Sequence, residues 1–259
     1  MAAWGAESGH IAVAVQNDVA VVTLRRPDRL NALSAGMRRE LAAILRHFGG
    51  GGQVRGIVVT GTGRAFSAGL DLQEAAELPP GGLTSDVELF HDITRAALQT
   101  QLPVVGALNG IAVGGAYEMT LCFDARIGSP AAEFFLPENS IGLTISNASS
   151  LLLPRLVGHA AMRLVMESAR IGARDSLALG LLDEIAEPAD LIPTAIGLVH
   201  RWTQPGAATQ AHLRLLRPPL AAVEQAMAAE TQAASGADAA AIAVAGINRF
   251  LSRRQQAGS

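Results

Sequence analysis

Lysine is absent from this 259-residue chain, in which all 20 basic residues are arginines. A lysine Schiff base and the lysine of a P-loop are therefore both excluded. Any phosphate group that binds must be met by arginine side chains or by backbone N–H groups. The net charge of −3 gives no reason to expect a nucleic acid or an anionic membrane as a partner.

Cysteine is nearly absent as well. The single Cys122 cannot form a disulfide within the chain, which fits a reducing compartment and predicts a cytoplasmic protein. A buried structural thiol is expected there rather than a nucleophile. The first ten residues lack a basic segment followed by an apolar core, so no secretory signal is expected. No apolar run is long enough to predict a membrane span.

Patterns for metal or dinucleotide binding are also missing. The six histidines are scattered without an i, i+4 pair, so no metal site is expected. The segment "GTGRAF", residues 61–66, does not match G-x-G-x-x-G, and a Rossmann-type nicotinamide site therefore has no support.

Short β-rich runs alternate with helical patterns in the first 140 residues, which predicts an α/β protein. "IAVAV" and "VAVVTL" flank "QND" and predict a hairpin, and "GIVVT" and "PVVGAL" predict buried strands. Ser34 can cap a helix that ends near residue 47, and a second helix is expected over residues 85–98. "ARIGS" and "AEFFLP" predict two more strands. Beyond about residue 146 the pattern is helical almost to the end.

Two glycine-rich loops share one layout. "GTGRAFSAGLDL" follows the strand "GIVVT", and "NGIAVGGAYE" follows "PVVGAL"; each is expected to open a helix. Backbone N–H groups at the start of a helix are unpaired, and the helix dipole adds positive potential there. Two such turns brought together would form an oxyanion hole. Taken singly, each loop is equally consistent with a tight strand-to-helix turn.

Two glutamates are placed for acid–base chemistry. Glu118 lies three residues after Gly115 and can share a face of the helix with the Gly115 N–H. Glu138 follows the apolar run "FFLP". The alternatives are a charge that interacts with the helix dipole for Glu118 and a cap for the segment after Pro137 for Glu138.

Three segments resemble the crotonase superfamily, also called the enoyl-CoA hydratase/isomerase family. They are "GTGRAFSAGLDLQE", "NGIAVGGAYEMTLCFDARI" and "FFLPENSIGL", and the terminal segments "VVTLRRPDRLNALSAGMRREL" and "ADAAAIAVAGINRFLSRR" are similar too. The resemblance implies a crotonase-type (ClpP-like) spiral of ββα units over residues 1–195. It implies a C-terminal helical region, residues 196–259, that joins chains into homotrimers or homohexamers.

The resemblance also implies a reaction and its residues. The N–H groups of Leu70 and Gly115 would hold the thioester carbonyl oxygen of an acyl-CoA, and Glu118 and Glu138 would complete the site. Hydration of a 2-enoyl-CoA is the implied activity, with double-bond isomerisation or another acyl-CoA reaction of the family, hydrolysis or decarboxylation, as alternatives. No cofactor is implied, because coenzyme A is part of the substrate. The residues implied to line the CoA groove are Arg29, Leu30, Ala68, Leu70, Asp71 and Leu72.

The chain departs from the family pattern at several positions. Gln73 stands where the family's hydratases often carry a lysine that reaches the CoA phosphates, so an arginine would have to supply that contact. Ser146, Asn147 and Ser149 replace small glycines near the expected acyl end of the site. Leu70 is bulkier than the usual alanine, which narrows the pocket mouth but keeps the N–H.

Two other functions are consistent with parts of the sequence. "AFSAG", residues 65–69, is one residue from the G-x-S-x-G pattern, so a serine hydrolase would place Ser67 at the apex of a strained turn. A non-catalytic member could keep the fold as a binding or assembly module. The presence of both Glu118 and Glu138 argues against that second alternative.

Overall fold

The computed structural model describes residues 9–79, 81–239 and 241–257. In chain order, the strands are β1 (Ile11–Gln16), β2 (Val19–Leu24), β3 (Gly56–Gly61), β4 (Ala65–Ser67), β5 (Val104–Leu108), β6 (Ile111–Val113), β7 (Ala125–Gly128), β8 (Glu133–Phe135), β9 (Ile171–Gly172) and β10 (Glu184–Ile185). The larger sheet has the order β1-β2-β3-β5-β7-β10. Only its first pair is antiparallel.

β1 and β2 form the hairpin that the sequence predicts, with Ile11 opposite Leu24. The two turn residues between them, Asn17 and Asp18, have φ angles of 48° and 58°. A two-residue hairpin turn requires this left-handed conformation, which Asn and Asp tolerate better than most residues.

A second sheet, with the order β4-β6-β8-β9, lies beside the first. The residue patterns alone do not predict β4 and β6, because a strand of three residues is too short to show alternation. These strands divide the chain into repeats of strand, strand and helix, since β3 and β4, β5 and β6, and β7 and β8 are each followed by a helix. The spiral of ββα units implied by the resemblance is thereby confirmed.

The helices join and cover the two sheets. In chain order they are α1 (Ala35–Gly49), α2 (Leu72–Ala76), α3 (Gly82–Gln99), α4 (Gly115–Thr120), α5 (Glu138–Ile141), α6 (Ser149–Val157), α7 (Ala160–Met166), α8 (Ala173–Leu179), α9 (Leu191–Trp202), α10 (Thr209–Leu216), α11 (Leu220–Ala239) and α12 (Ile242–Ala257).

α1 begins as the sequence predicts, because the Ser34 hydroxyl accepts a hydrogen bond from the Met37 N–H. α3 starts at Gly82, three residues before the predicted start at Ser85, after a left-handed Gly81 with a φ angle of 82°. The two helices are joined by the buried Arg38, whose guanidinium binds both carboxylate oxygens of Asp86.

The larger sheet buries apolar side chains on both faces. Successive residues of a strand point to opposite faces, so Ile57 and Val59 pack into the main core while Val58 belongs to a separate cluster. That second cluster is covered by α9, which supplies Leu191 and Val199 among others. Burial on both faces explains why β3 and β5 read as continuous apolar runs.

The C-terminal helices pack on their own chain. α11 contacts α3 and α6, and α12 contacts α2 and α5. α12 approaches so closely that a Cβ at Gly246 would lie 1.7 Å from the Ile141 carbonyl oxygen. The predicted boundary after residue 195 falls inside α9, and the oligomerisation role of residues 196–259 stays a prediction.

In the described part of the chain, no helix combines the length and apolar character needed to cross a membrane.

Candidate active site

The two glycine-rich loops meet at Gly69. This residue has a φ angle of 81°, and a Cβ built on it would lie 2.3 Å from the Val113 carbonyl oxygen and 3.5 Å from the Gly115 nitrogen. Glycine is the residue that permits both this backbone conformation and this close approach. The structure therefore places the two loops side by side, as the sequence predicts.

In each loop, one backbone N–H takes no part in the backbone hydrogen bonds that fold the loop. Leu33 pairs with Leu70 in an isolated parallel bridge, whose hydrogen bonds use the Gly69 carbonyl and the Asp71 N–H. The N–H of Leu70 itself takes no part in that bridge. Gly115 is the first residue of α4, where an N–H has no partner within the helix.

Leu70 and Gly115 border the same small space of about 50 Å³. Its walls come from the two loops, α3, the segment after α5 and the C-terminal helices, and they are mainly apolar. The lining residues are Leu70, Leu83, Asp86, Val87, Phe90, Gly115, Glu138, Leu143, Thr144, Ser146, Ala234, Ala237 and Ala243.

Glu138 brings a carboxyl group into this space from the first position of α5. The residue is 7% exposed. Its Oε1 lies against Gly114, where a Cβ would come within 2.4 Å of that oxygen. Its Oε2 is buried without a hydrogen-bond partner among the residues that the structure describes. Burial raises the pKa of Glu138 to about 8, so this group keeps its proton near neutral pH.

Glu118 lies behind the wall of the same space, one helical turn after Gly115, and is 1% exposed. Its Oε2 accepts hydrogen bonds from the Ser146 N–H, at 2.9 Å, and from the Ser146 hydroxyl, at 2.5 Å. Burial, and after it the charge of Glu138, raises the pKa of Glu118 well above its ordinary value, while the hydrogen bonds from Ser146 oppose that rise. Burial is the larger of these two causes of the raised pKa.

The two glutamates therefore have different environments. Glu118 accepts two hydrogen bonds from Ser146 at Oε2, whereas Oε1 of Glu138 lies against Gly114. Each carboxyl group also has one buried oxygen with no partner among the described residues, and burial raises the pKa of both. Paired carboxyl groups in unlike surroundings commonly divide the roles of base and acid. The two carboxyl groups are thus candidates for proton transfer at this site.

Part of the expected CoA groove comes together at the mouth of the site. The Ala68 N–H donates to the Leu30 carbonyl at 2.8 Å, which holds the 3₁₀ turn Pro27–Arg29 against the first loop. The exposed guanidinium of Arg29 donates to the Gln73 side chain. An arginine thus stands beside the position where the family often carries a lysine, although contact with CoA phosphates stays a prediction.

Asp71 and Leu72, also expected in the groove, have structural contacts of their own. Asp71 caps α2 and pairs with Arg26 at 2.6 Å. Burial opposes the ionisation of Asp71, but Arg26 and the capped N–H groups outweigh it and hold its pKa below the ordinary value. Leu72 packs in the apolar cluster that α12 shares with α2. A role for either residue in CoA binding stays a prediction.

The side chains that could act as alternative nucleophiles are buried and engaged. Ser67 lies in β4, fully buried, and its hydroxyl donates to the Asn31 carbonyl at 2.7 Å. The exposed apex that a serine hydrolase requires is therefore not formed at Ser67. Burial raises the pKa of the Cys122 thiol to about 12, which agrees with its expected structural role.

Asn31 is a site-supporting residue that the sequence does not single out. Its side-chain amide donates to the carbonyls of Thr62 and Ala65, and its side-chain oxygen accepts from the Arg26 N–H. These hydrogen bonds hold the first loop against the turn that contains Asn31. Its φ angle of 56° is tolerated by Asn, and this Asn in the turn "RLNAL" is the one sequence signal that could have identified it.

Known proteins resemble this chain in sequence and in fold. The profile of the family described as enoyl-CoA hydratase/isomerase matches residues 14–257. The chain is 32% identical over 191 residues to the short-chain-enoyl-CoA hydratase of Clostridium acetobutylicum, covering 73% of each protein. It is 31% identical over 210 residues to 4-chlorobenzoyl coenzyme A dehalogenase-2 of an Arthrobacter species, covering 79% of this chain and 75% of that protein. A crystal structure of an enoyl-CoA hydratase/isomerase from Pseudoalteromonas atlantica T6c aligns with a TM-score of 0.84 at 27% identity, over 94% of this chain and 97% of the other.

Proposed function

The chain belongs to the enoyl-CoA hydratase/isomerase family, and we propose that it adds water across the 2,3 double bond of a 2-enoyl-CoA thioester. The observation that carries this proposal is the meeting of two free backbone N–H groups with two buried glutamates of unlike environment. Three segments of the chain supply these groups: the first loop, the second loop with α4, and the start of α5. Taken alone, each segment also has a purely structural explanation.

The reaction follows from the positions of these groups. The thioester carbonyl oxygen accepts hydrogen bonds from the N–H groups of Leu70 and Gly115, which stabilise the negative charge that develops as C3 is attacked. Glu118 takes a proton from the attacking water, and Glu138 delivers a proton to C2. The sum of these steps is one water added to the substrate. We propose that no metal or redox cofactor takes part, since each proton transfer has a side chain to perform it.

The size of the space between these groups supports a short acyl chain. At about 50 Å³ it is much smaller than the space beyond Leu143 and Thr144. A larger groove of about 330 Å³ lies on the other side of Glu138, Leu143 and Thr144, which border both spaces. A long acyl chain would have to displace Leu143 or Thr144 to reach that groove.

Isomerisation of the double bond is the second candidate, and one observation favours it. Glu138 borders the space, whereas Glu118 is 1% exposed and lies behind Ser146. One carboxyl group that faces the substrate is sufficient to move a proton between two carbons.

We expect a panel of enoyl-CoA thioesters of increasing chain length to decide between these reactions. Loss of the conjugated enoyl absorbance, with a mass gain of one water, should be fastest for 2-butenoyl-CoA and slower for long chains. A change of absorbance without a change of mass would identify isomerisation instead. Best turnover with long chains would contradict the short-chain assignment, and no turnover with any enoyl-CoA would point to hydrolysis or decarboxylation.

Ser146→Ala should shift the pH dependence of hydration in one direction. The Ser146 hydroxyl favours the ionised form of Glu118, so its removal raises the pKa of Glu118. The acidic limb of the kcat/KM profile should therefore move to higher pH, while the alkaline limb, set by Glu138 with a pKa of about 8, stays in place.

The matched control is Ser140→Ala, which removes a hydroxyl that donates to the Pro137 carbonyl on the exposed side of α5. That variant should keep both limbs where they are. An acidic limb that moves to lower pH in Ser146→Ala would contradict the assignment of Glu118 as the base.

We further propose that the protein assembles as a homotrimer or homohexamer in the cytoplasm. Exposed apolar side chains on α7 and α10, among them Met162, Met166, Leu215 and Leu216, support assembly. The single buried cysteine supports a reducing compartment. A monomer in mass photometry at working concentration would contradict the oligomer.

A further inference from the structure

α11 carries a buried carboxylate on its apolar face. Glu230 is 4% exposed and shares this face with the buried Val223, Met227 and Ala234. A glutamate is rarely buried unless its charge is matched by partners, because removing it from water is costly. The buried carboxylate of Glu230 is therefore expected to have specific hydrogen-bond or charge partners.

Both oxygens of Glu230 accept backbone hydrogen bonds from the start of α6. Oε2 accepts from the Ala148 N–H and Oε1 from the Ser150 N–H, each at 2.8 Å. Ala148 occupies the N-cap position of α6 but has no side-chain acceptor to offer. Glu230 thus satisfies, from another helix, the N–H groups that a cap residue would normally satisfy.

The residues that Glu230 holds form a turn, residues 146–150, that contacts the catalytic groups directly. At one end, Ser146 donates two hydrogen bonds to Glu118. Next to it, the Asn147 side chain donates to the Gly115 carbonyl at 3.2 Å and accepts from the Thr94 hydroxyl at 3.0 Å. One short segment therefore joins Glu118, Gly115 and Glu230.

The backbone of the 146–150 turn needs outside support. Asn147 and Ala148 have φ angles of 60° and 58°. The left-handed conformation is tolerated by Asn but is costly for Ala, and such conformations persist only where surrounding contacts hold them. The two hydrogen bonds to Glu230 are such contacts.

We propose that Glu230 is a positioning residue for Glu118, which it acts on through the 146–150 turn. Without Glu230, the left-handed backbone relaxes, Ser146 leaves Glu118, and the carboxylate no longer holds the orientation that water activation requires. Glu230 touches no substrate atom in this scheme.

Other titratable groups face Glu230 and Glu118 and are part of the arrangement. From α3, His91 places its Nε2 3.4 Å from the Glu230 Oε2. The other ring nitrogen of His91 lies 3.3 Å from Glu88, which also accepts from the Thr231 hydroxyl on α11. From α4 and α5, Glu118 and Glu138 face the same region.

The inference rests on the proposed function for its kinetic test, which is a double-mutant cycle. Glu230→Ala should lower kcat about tenfold in the unaltered protein but less than about twofold in a Glu118→Gln background, because coupled residues are not additive. The KM for the enoyl-CoA should change by less than about twofold, since the backbone N–H groups that bind the thioester are retained. A loss of overall stability would reduce activity by the same factor in both backgrounds, and that result would overturn the proposal.

Two variants make the comparison sharper. Glu230→Gln keeps one acceptor oxygen for the turn and should lose less activity than Glu230→Ala. Glu224→Ala, on the same helix, removes a glutamate that pairs with Arg95 at the surface and should leave kcat within about twofold, as expected for an exposed ion pair. Equal losses in Glu230→Ala and Glu224→Ala would also overturn the proposal.

Hydrogen exchange gives a readout that does not depend on the reaction. In Glu230→Ala and Glu230→Gln, amides of the 146–150 turn should exchange faster, while those of β3 and β5 should keep their protection. Unchanged exchange in the turn would contradict the positioning role. If the unaltered protein hydrates no enoyl-CoA, the proposed function fails, and the exchange result still decides the role of Glu230.

Discussion

Glu138→Gln should lower the turnover of a 2-enoyl-CoA by about 10²–10⁴-fold, the usual range for a general acid or base. Glutamine has nearly the same shape as a protonated glutamic acid but cannot release the proton that C2 must receive. Glu118→Gln should cause a loss in the same range, because the amide cannot accept a proton from water. Affinity for a CoA thioester should change little in both variants, because the N–H groups of Leu70 and Gly115 are untouched.

The double variant and one control complete this experiment. The combined loss should fall well short of the product of the single losses, since both residues act in the same reaction step. Glu133→Gln is the control, because Glu133 is a glutamate of β8 that pairs with Arg170 at the surface, and its turnover should stay close to that of the unaltered protein. Activity within about threefold of the unaltered protein for Glu118→Gln would favour isomerisation by Glu138 alone.

Gly69→Ala should reduce kcat by about 10²–10³-fold, the loss expected when one oxyanion donor is removed. The added Cβ would lie 2.3 Å from the Val113 carbonyl oxygen, and a backbone atom cannot move aside as a flexible side chain can. The two loops must separate, which moves the Leu70 N–H away from the Gly115 N–H. Steady-state kinetics with urea unfolding on the same samples would measure activity and stability together.

Gly81→Ala is the matched control for the backbone conformation. Gly81 has a φ angle of 82°, close to the 81° of Gly69, but a Cβ there meets nothing within 4 Å. Both variants should lose about 1–2 kcal/mol of stability from the left-handed conformation, and Gly81→Ala should keep its turnover. If both variants retained full activity, the close approach of the loops would not be needed for catalysis.

Most strands of the larger sheet follow from sequence patterns, but β4 and β6 of the second sheet do not. β2, β3 and β5 are apolar runs that are long enough to recognise, and their parallel pairing follows from the helices between them. β4 and β6 have three residues each, which is too short to show an alternating pattern. They are strands because β4 pairs with β6 and β6 pairs with β8. Such long-range pairing cannot be recognised from a short stretch of sequence.

The candidate site divides in a similar way. The residues on the two loops could be named from the resemblance to a family pattern, although each loop alone is equally consistent with a tight turn. Glu230 could not be predicted as part of the site. One sequence signal does exist, because Glu230 lies on the same helix face as Val223, Met227 and Ala234 and is therefore a glutamate within an apolar stripe. The sequence alone could not say which groups this carboxylate meets, because its partners lie about 80 residues earlier in the chain.

Ser146 is a departure from the family pattern whose effect can be seen only in the structure. In the sequence it reads as a polar residue in place of a small glycine, and its effect on the substrate is undefined. In the structure its hydroxyl adds a second hydrogen bond to the one that its backbone N–H already donates to Glu118. The serine therefore alters the environment of Glu118.

Because Glu230 on α11 anchors the 146–150 turn, this turn can be fixed only after α11 has been synthesised. Glu230 follows Glu118 by about 110 residues, so at roughly 5–20 residues per second it leaves the ribosome on the order of ten seconds later. During that interval the nascent chain contains Glu118 and Glu138 but not Glu230, whose carboxylate fixes the turn. The faces of α3 and α6 that α11 covers are exposed at that stage. Translation that stops before α11 should therefore yield an inactive fragment with apolar surface that chaperones and proteases recognise.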